Sequence, residues 1–163
     1  MQFCIFAPAN CNMIINVHQH FMELALKEAK QAQAEDEVPI GAVVVSHSRV
    51  IAKAYNQVER LKDPTAHAEM LAITSATNAL GSKYLTDCAI YVTIEPCMMC
   101  ATALFWSKIG AVYYAAGDNR YGFTHFDRHI FNDTTHVDKG LLEHDCGQLM
   151  KDFFKKKREL DKL

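Results

Sequence analysis

The sequence lacks the long apolar runs of a membrane protein. No stretch among its 163 residues reaches the roughly 18 apolar residues that a membrane-spanning helix needs. The first residues, MQFCIFAPANCNMII, are apolar, but they lack the basic residue that precedes the apolar segment of a secretory signal peptide. We therefore expect a soluble cytoplasmic protein.

The sequence also lacks a strong charge of either sign. Its 17 basic and 19 acidic side chains give a formal net charge of −2, so a nucleic acid or a membrane could bind only through a local patch. There is no internal repeat and no low-complexity segment. Half of the residues are apolar, which is enough for one sizeable core. We predict a single domain over residues 17–163, preceded by an N-terminal extension over 1–16.

Disulfide bonds are not expected, although six cysteines are present, at positions 4, 11, 88, 97, 100 and 146. Disulfide frameworks are typical of secreted chains of fewer than about 100 residues, and this chain is longer and shows no export signal. Buried thiols or metal ligands are the expected roles.

Helical and strand patterns alternate along the chain. The patterns predict helices over 21–36, 66–79, 97–106 and 141–160, and strands over 39–45, 50–56, 88–94 and 111–116. The first two strands form a hairpin, and residues 117–136 read as a long irregular stretch. This order of elements indicates a mixed sheet that is covered by helices on both faces.

The turn after the third predicted strand carries the motif EPCMMC. Pro96 suits the first position of a helix, and Cys97 and Cys100 would then share one face of its first turn. The positive end of the helix dipole favours thiolates at that place. Such a pair alone could be a redox pair, half of a structural zinc site or two inert buried thiols. A structural site needs four protein ligands, and the sequence contains no second C-x-x-C motif.

The segment DPTAHAEML places a histidine and a carboxylate two positions apart near the start of a helix. With Thr65 as the predicted N-cap, His67 and Glu69 both lie in the first turn. His67, Cys97 and Cys100 would give zinc three ligands and leave one tetrahedral position for water, as in catalytic zinc sites. Glu69 would take the proton of that water, whose pKa zinc lowers to about 7. Taken singly, Glu69 could be a solvated first-turn charge and His67 a structural histidine.

Together these residues form the H-x-E…P-C-x-x-C signature of zinc-dependent nucleobase deaminases. The segments EVPIGAVVV, DPTAHAEM, IYVTIEPCMMC and LMKDFFKKKR resemble the family of bacterial tRNA-specific adenosine deaminases. The resemblance covers most of residues 20–160.

The resemblance implies a fold, an activity and a set of site residues. The fold is a three-layer α/β/α sandwich of the cytidine-deaminase type with a central mixed five-stranded sheet. The activity is conversion of adenosine to inosine at the wobble position of a tRNA anticodon, by a homodimer. One Zn²⁺ per subunit would be bound by His67, Cys97 and Cys100, with Glu69 as the proton shuttle. The substrate-binding residues implied are Asn56, Ile40, Ala68 and Phe153.

The predicted last helix carries a basic run beside two aromatic residues. The basic residues are Lys151, Lys155, Lys156, Lys157 and Arg158. Together with Phe153 and Phe154 they match the combination of phosphate neutralisation and base stacking that single-stranded RNA needs. The alternative is a solvated helix end, because cations are favoured at helix C-termini.

Two departures from the family pattern leave the substrate open. Thr102 stands where the family usually has a glycine, and the loop after the fourth strand contains Tyr121, Phe123, His125 and Phe126 where small residues are common. These aromatic side chains could stack on anticodon bases, close over a free base or nucleoside, or pack the loop. The alternative enzyme is a deaminase of a free base or nucleoside, such as guanine or cytidine, and the non-enzyme alternative is a zinc-stabilised RNA-binding module.

Overall fold

The structure of the chain is a computed structural model that describes residues 9–127, 129–160 and 162. Five strands form one sheet in the order β2-β1-β3-β4-β5. The strands are β1 (Gly41–Ser46), β2 (Arg49–Tyr55), β3 (Cys88–Ile94), β4 (Ala111–Ala116) and β5 (His136–Lys139). The helices are α1 (Ala9–Ala34), α2 (Val58–Leu61), α3 (Ala68–Leu80), α4 (Met98–Trp106) and α5 (Glu143–Leu160).

The sheet is mixed, as predicted. β1 pairs antiparallel with both β2 and β3, whereas β3, β4 and β5 are parallel to one another. Because β1 and β3 run in opposite directions, the start of β1 lies at the same edge of the sheet as the ends of β2, β3 and β4. That edge is where the loops leading to α3 and α4 meet.

Helices cover both faces of the sheet. Alternate side chains of β1 point to opposite faces, so Val43 packs in a cluster with Phe21 and Met22 of α1, and Val44 packs in a second cluster with Ala72 of α3. α5 lies with α1 against β3 and β4, and α4 lies on the side of α3. The predicted three-layer α/β/α sandwich with a five-stranded mixed sheet is therefore confirmed.

The fifth strand begins at the last residue of the stretch predicted to be irregular and continues through residues 137–139, where no element was predicted. All four side chains of β5 are exposed. The segment HVDK therefore lacks the buried apolar side chain by which a strand can be predicted from sequence. Its position is determined by its backbone pairing with β4.

The starts of α3 and α4 differ from the prediction. The N-cap of α3 is His67, because Asp63 already accepts hydrogen bonds from both the N–H and the hydroxyl of Thr65, at 2.8 and 2.7 Å. The N-cap of α4 is Cys97, whose backbone is extended, so Pro96 stands before the helix and not at its first position. The predictions of Thr65 as N-cap and of Pro96 as first helical residue were wrong.

The first helix begins earlier than residue 21, at Ala9, and ends at Ala34. Of the predicted extension, residues 1–8 lie outside the described residues and residues 9–16 belong to α1. None of the helices in the described part of the chain combines the length and the apolarity that a membrane-spanning helix requires.

Helix α1 approaches the first strand closely at Gly41. A Cβ atom at Gly41 would overlap the carbonyl oxygen of Ala25 and would lie 2.5 Å from the backbone nitrogen of Ala29. Gly147, in α5, has room, because a Cβ there would lie 3.5 Å from the Cβ of Ala116. The absence of a side chain at Gly41 therefore determines how near α1 can lie to the sheet.

These two glycines provide a matched pair of substitutions. We expect Gly41→Ala to lower the free energy of unfolding by about 3 kcal/mol, because the added methyl group meets backbone atoms that cannot rotate away. Gly147→Ala should raise it by about 0.5–1 kcal/mol, since alanine is the better helix former. Urea denaturation followed by circular dichroism measures both values. Equal stability of the two variants would contradict the close approach of α1 to β1.

Candidate active site

Segments from three parts of the chain meet at the sheet edge described above. Asn56 follows β2, His67 precedes α3, and Cys97 follows β3. The N–H of Gln57 donates to the carbonyl of Ala66 at 3.0 Å, which ties the segment after β2 to the segment before α3. Residues that are far apart in the sequence thus line one site.

His67, Cys97 and Cys100 form a group that can hold one cation. The Nδ1 atom of His67 lies 3.7 Å from the Sγ of Cys97 and 3.5 Å from the Sγ of Cys100, and the three ligand atoms all lie within 4.8 Å of one another. Zinc bonds of ordinary length at a tetrahedral angle place a nitrogen and a sulfur ligand about 3.6 Å apart. The described residues contain no second group of this kind.

The two helix starts explain why these side chains converge. His67 and Cys97 are both N-caps with extended backbone, and neither side chain makes the hydrogen bond that a capping residue usually makes. The imidazole and the thiol are therefore free to point beyond the helix ends, towards each other. Cys100 comes from the first turn of α4 and is buried. The positive ends of two helix dipoles favour negative ligands at this place.

The two thiols are electrostatically coupled. The hydrogen bond between them lowers the pKa of Cys97 to about 4, and the same bond together with burial raises the pKa of Cys100 far above its usual range. The protein alone thus stabilises one thiolate and not two. A bound dication would stabilise the second, and zinc is a cation that thiolate and imidazole ligands select. The donor set fits Zn²⁺.

Glu69 is the most unusual polar group of the site. Its side chain is 2% exposed, and its Oε2 atom has no hydrogen-bond partner among the described residues. Burial raises the pKa of Glu69 to about 7. A buried carboxylate oxygen without a partner, beside a cation site, needs a water molecule, a ligand or a proton to satisfy it. This is the environment of a group that exchanges protons with a bound substrate.

Asn56 is held by a residue whose role the sequence reasoning missed. The buried carboxylate of Glu37 accepts a hydrogen bond from the Nδ2 of Asn56 at 3.0 Å. It also accepts from the N–H groups of Glu59 and Arg60 at the start of α2, at 3.1 and 2.7 Å. The signal available in the sequence was a single acidic residue, Glu37, directly before an apolar strand.

The remaining predicted substrate-binding residues separate into two groups. Ile40 lies next to Asn56, since the N–H of Asn56 donates to its carbonyl at 3.0 Å, and Ala68 is buried between His67 and Glu69. Phe153 is buried on α5, which covers the opposite face of the sheet from α3. The structure therefore brings Ile40 and Ala68 to the site, whereas the role of Phe153 in substrate binding stays a prediction.

Comparison with known proteins agrees with the geometry. Residues 15–116 match the family model for the cytidine and deoxycytidylate deaminase zinc-binding region. A tRNA-specific adenosine deaminase of Aquifex aeolicus is 45% identical over 145 residues, which cover 86% of this chain and 95% of that protein.

Solved structures resemble the fold as well. One, from a study of A-to-I editing by tRNA:A34 deaminases at the wobble position of transfer RNA, has a TM-score of 0.75 and 43% identity, and covers 80% of this chain and 98% of that one. A guanine deaminase of Bacillus subtilis has a TM-score of 0.60 and 42% identity, over 61% of this chain and 64% of that one. The chain belongs to the cytidine and deoxycytidylate deaminase family of zinc-binding enzymes and, within it, to the tRNA-specific adenosine deaminases.

Proposed function

We propose that this protein catalyses the hydrolytic deamination of adenosine to inosine at the wobble position of a tRNA anticodon, in the cytoplasm. The observation that carries the proposal is the convergence of His67, Cys97 and Cys100 beside the buried and unsatisfied carboxylate of Glu69. The similarity to tRNA-specific adenosine deaminases supports the choice of substrate.

The cofactor we propose is one Zn²⁺ per subunit. His67, Cys97 and Cys100 would hold it, and a zinc ion bound by three protein ligands supplies Lewis acidity that makes water acidic near neutral pH. The remaining chemistry belongs to side chains of the protein.

Glu69 would carry the protons of the reaction. Its carboxylate takes one proton from the water that adds to C6 of the purine ring and passes it to the ring nitrogen. It then takes the proton of the hydroxyl group formed at C6 and passes it to the amino group that leaves. A C–O bond forms at C6, the C–N bond breaks, and inosine and ammonia result. Because Glu69 is buried beside the ligands of the cation, no bulk water competes for this transfer.

Asn56 would orient the adenine base. Glu37 holds the amide by its Nδ2 and ties it to the start of α2, so its position is fixed before the substrate arrives. Ile40, which is half-buried, would contribute an apolar contact to the base, and the fully buried Ala68 would support the floor of the site between His67 and Glu69. A polar group beside apolar ones suits a planar heterocycle, because the polar group binds its edge and the apolar groups pack against its face.

The RNA around the anticodon would meet the end of α5. Lys151, Lys155, Lys156 and Arg158 are exposed there. Phe154 is also exposed, whereas Phe153 is buried, with the ammonium group of Lys157 5.5 Å from its ring centre. We propose that Phe153 supports this basic surface from within. The positive charges would bind phosphates, so the affinity for tRNA should fall as salt rises.

A homodimer is the assembly we propose. Trp106, at the end of α4, is 72% exposed, and Met98, Met99 and Phe105 of the same helix are half-buried. An apolar surface of this kind next to a metal site indicates contact with another subunit. Both metal-binding cysteines belong to the same segment, so assembly through α4 would also stabilise the site.

Deamination of a free purine base is the second candidate. The similarity to the guanine deaminase of Bacillus subtilis favours it, because 61% of this chain matches that structure at 42% identity. The aromatic residues of the loop after β4 could enclose a free base instead of meeting an RNA loop.

A substrate panel distinguishes the two candidates. We expect a tRNA with adenosine at the wobble position and its isolated anticodon hairpin to be deaminated, with kcat/KM at least about 100-fold above that of free adenosine, guanine or cytidine. The reason is that binding energy from the surrounding nucleotides is used to position the reacting base. Ammonia release and sequencing of inosine are the measurements. Turnover of free guanine together with an inert hairpin would overturn the tRNA assignment.

The role of Glu69 is tested by removing its carboxylate. Glu69→Ala should lower kcat by about 10³-fold or more, since a positioned acid–base group contributes about 10²–10⁴-fold, while zinc content stays at the wild-type value. Glu23→Ala, which removes an exposed carboxylate from α1, is the matched control and should change neither value. A Glu69→Ala protein that releases ammonia at the wild-type rate would exclude the mechanism.

The assembly is tested at the exposed tryptophan. Trp106→Glu should convert a dimer into a monomer at micromolar concentration, because a charge cannot be buried against an apolar partner surface. Val50→Glu introduces the same charge at another exposed apolar residue, on β2, and should leave the dimer intact. Sedimentation equilibrium measures both. A fully active wild-type monomer would contradict the dimer.

A further inference from the structure

Glu95 is a buried carboxylate that the proposed chemistry does not use. It stands two residues before Cys97 and is 6% exposed. Its Oε2 accepts a hydrogen bond from the N–H of Asp118 at 3.1 Å, and its Oε1 accepts from the N–H and the hydroxyl of Thr124, at 2.9 and 2.7 Å. Three donors from one loop therefore satisfy the charge. A buried carboxylate without such donors would be strongly unfavourable.

The loop that Glu95 binds, residues 118–126, is also joined directly to the turn with the metal-binding cysteine. Cys97 and Gly122 form an isolated antiparallel β-bridge, and the N–H of Phe123 donates to the carbonyl of Pro96 at 3.0 Å. A Cβ atom at Gly122 would overlap the carboxylate of Glu95 and lie 2.6 Å from the carbonyl oxygen of Asp118. The loop and the cysteine turn are therefore closely packed against each other.

The same loop displays two large rings to solvent. Tyr121 is 63% exposed and Phe126 is 61% exposed, whereas Phe123 between them is buried against Tyr114 and Phe131. Arg120 is exposed beside Tyr121. Exposed aromatic rings next to a cationic side chain are the features by which proteins bind single-stranded nucleic acid, through stacking and phosphate contact.

We propose that Glu95 is a positioning residue that fastens loop 118–126 to the cysteine turn, so that Tyr121 and Phe126 stack on the nucleotides that flank the edited adenosine. This inference rests on the proposed function, because it takes single-stranded RNA as the ligand. The bridge between Gly122 and Cys97 places the backbone of the loop beside the candidate metal ligands, and Tyr121 directly precedes Gly122. The buried Phe123 and the three hydrogen bonds to Glu95 hold the rings in place before the RNA binds, which reduces the entropy lost on binding.

The rings are tested by kinetics on the anticodon hairpin. Tyr121→Ala and Phe126→Ala should each raise KM by about 5-fold to 100-fold, the factor expected for the loss of one stacked base, with kcat changed less than threefold. Tyr121→Phe keeps the ring and should restore the wild-type KM. Tyr84→Ala removes an exposed ring from the loop between α3 and β3 and serves as the control. Unchanged KM values in both alanine variants would overturn the inference.

The role of Glu95 is tested by Glu95→Gln. This change replaces one acceptor oxygen by an NH2 group, which cannot accept the hydrogen bond that the N–H of Asp118 donates. We expect a rise in KM similar to that of the ring variants, and faster cleavage by trypsin after the exposed Arg120, because the loop is released. Zinc content should equal that of the wild type. Thr124→Val removes the hydroxyl donor and leaves the carboxylate in place, so it should give a smaller change in the same direction. Equal tryptic cleavage in all three proteins would exclude a fastening role.

The wild-type protein separates this inference from the function on which it depends. If the wild type deaminates the hairpin and the ring variants match it, the stacking role is wrong and the enzymatic assignment remains. If the wild type neither binds nor deaminates the hairpin, both are wrong. Deamination of the hairpin with a selective rise in KM for the ring and Glu95 variants supports both.

Discussion

A single zinc site requires its nitrogen and sulfur ligand atoms to lie about 3.6–3.8 Å from one another, and this requirement explains most of the architecture. His67 and Cys97 are 30 residues apart in the sequence, so the fold must bring two helix starts to one point. A mixed sheet achieves this, because the segments after β2 and β3 emerge at the same edge. Both ligands stand at the N-cap position, where the chain changes from extended to helical and a side chain can point beyond the helix end.

Three buried carboxylates surround this site, and their hydrogen bonds distinguish their roles. Glu37 accepts three hydrogen bonds and holds Asn56 and the start of α2. Glu95 also accepts three and holds the loop after β4. Glu69 alone among them has a buried oxygen without a partner in the described part of the chain. A satisfied carboxylate stabilises a conformation, whereas an unsatisfied one beside a cation site is available for proton transfer.

The sequence was sufficient for the parts that rest on short motifs and on periodicity. In the described part of the chain, four of the five α-helices and four of the five strands carry apolar patterns, and the candidate metal ligands occur in two compact motifs, so both could be predicted. The short helix α2 was not predicted, because its four residues include no buried one. The exact starts of α3 and α4 could not, because they depend on local contacts: Asp63 binds the N–H and the hydroxyl of Thr65, and the N-cap position of α3 falls two residues later, on His67. β5 was missed because none of its side chains is buried. Glu37 and Glu95 were missed because their partners, mostly backbone N–H groups, belong to distant segments and leave no pattern in the sequence.

The close approach of α1 to Gly41 has a consequence on the other side of the sheet. α1 ends at Ala34, and Glu37, which holds the amide of Asn56, follows after a short turn. Any shift of α1 along the sheet would therefore displace the amide, while the imidazole and the thiols, which belong to α3 and α4, would keep their places. Under the role proposed for Asn56, a small change in the packing of α1 would weaken discrimination between bases while the group of His67, Cys97 and Cys100 stays intact.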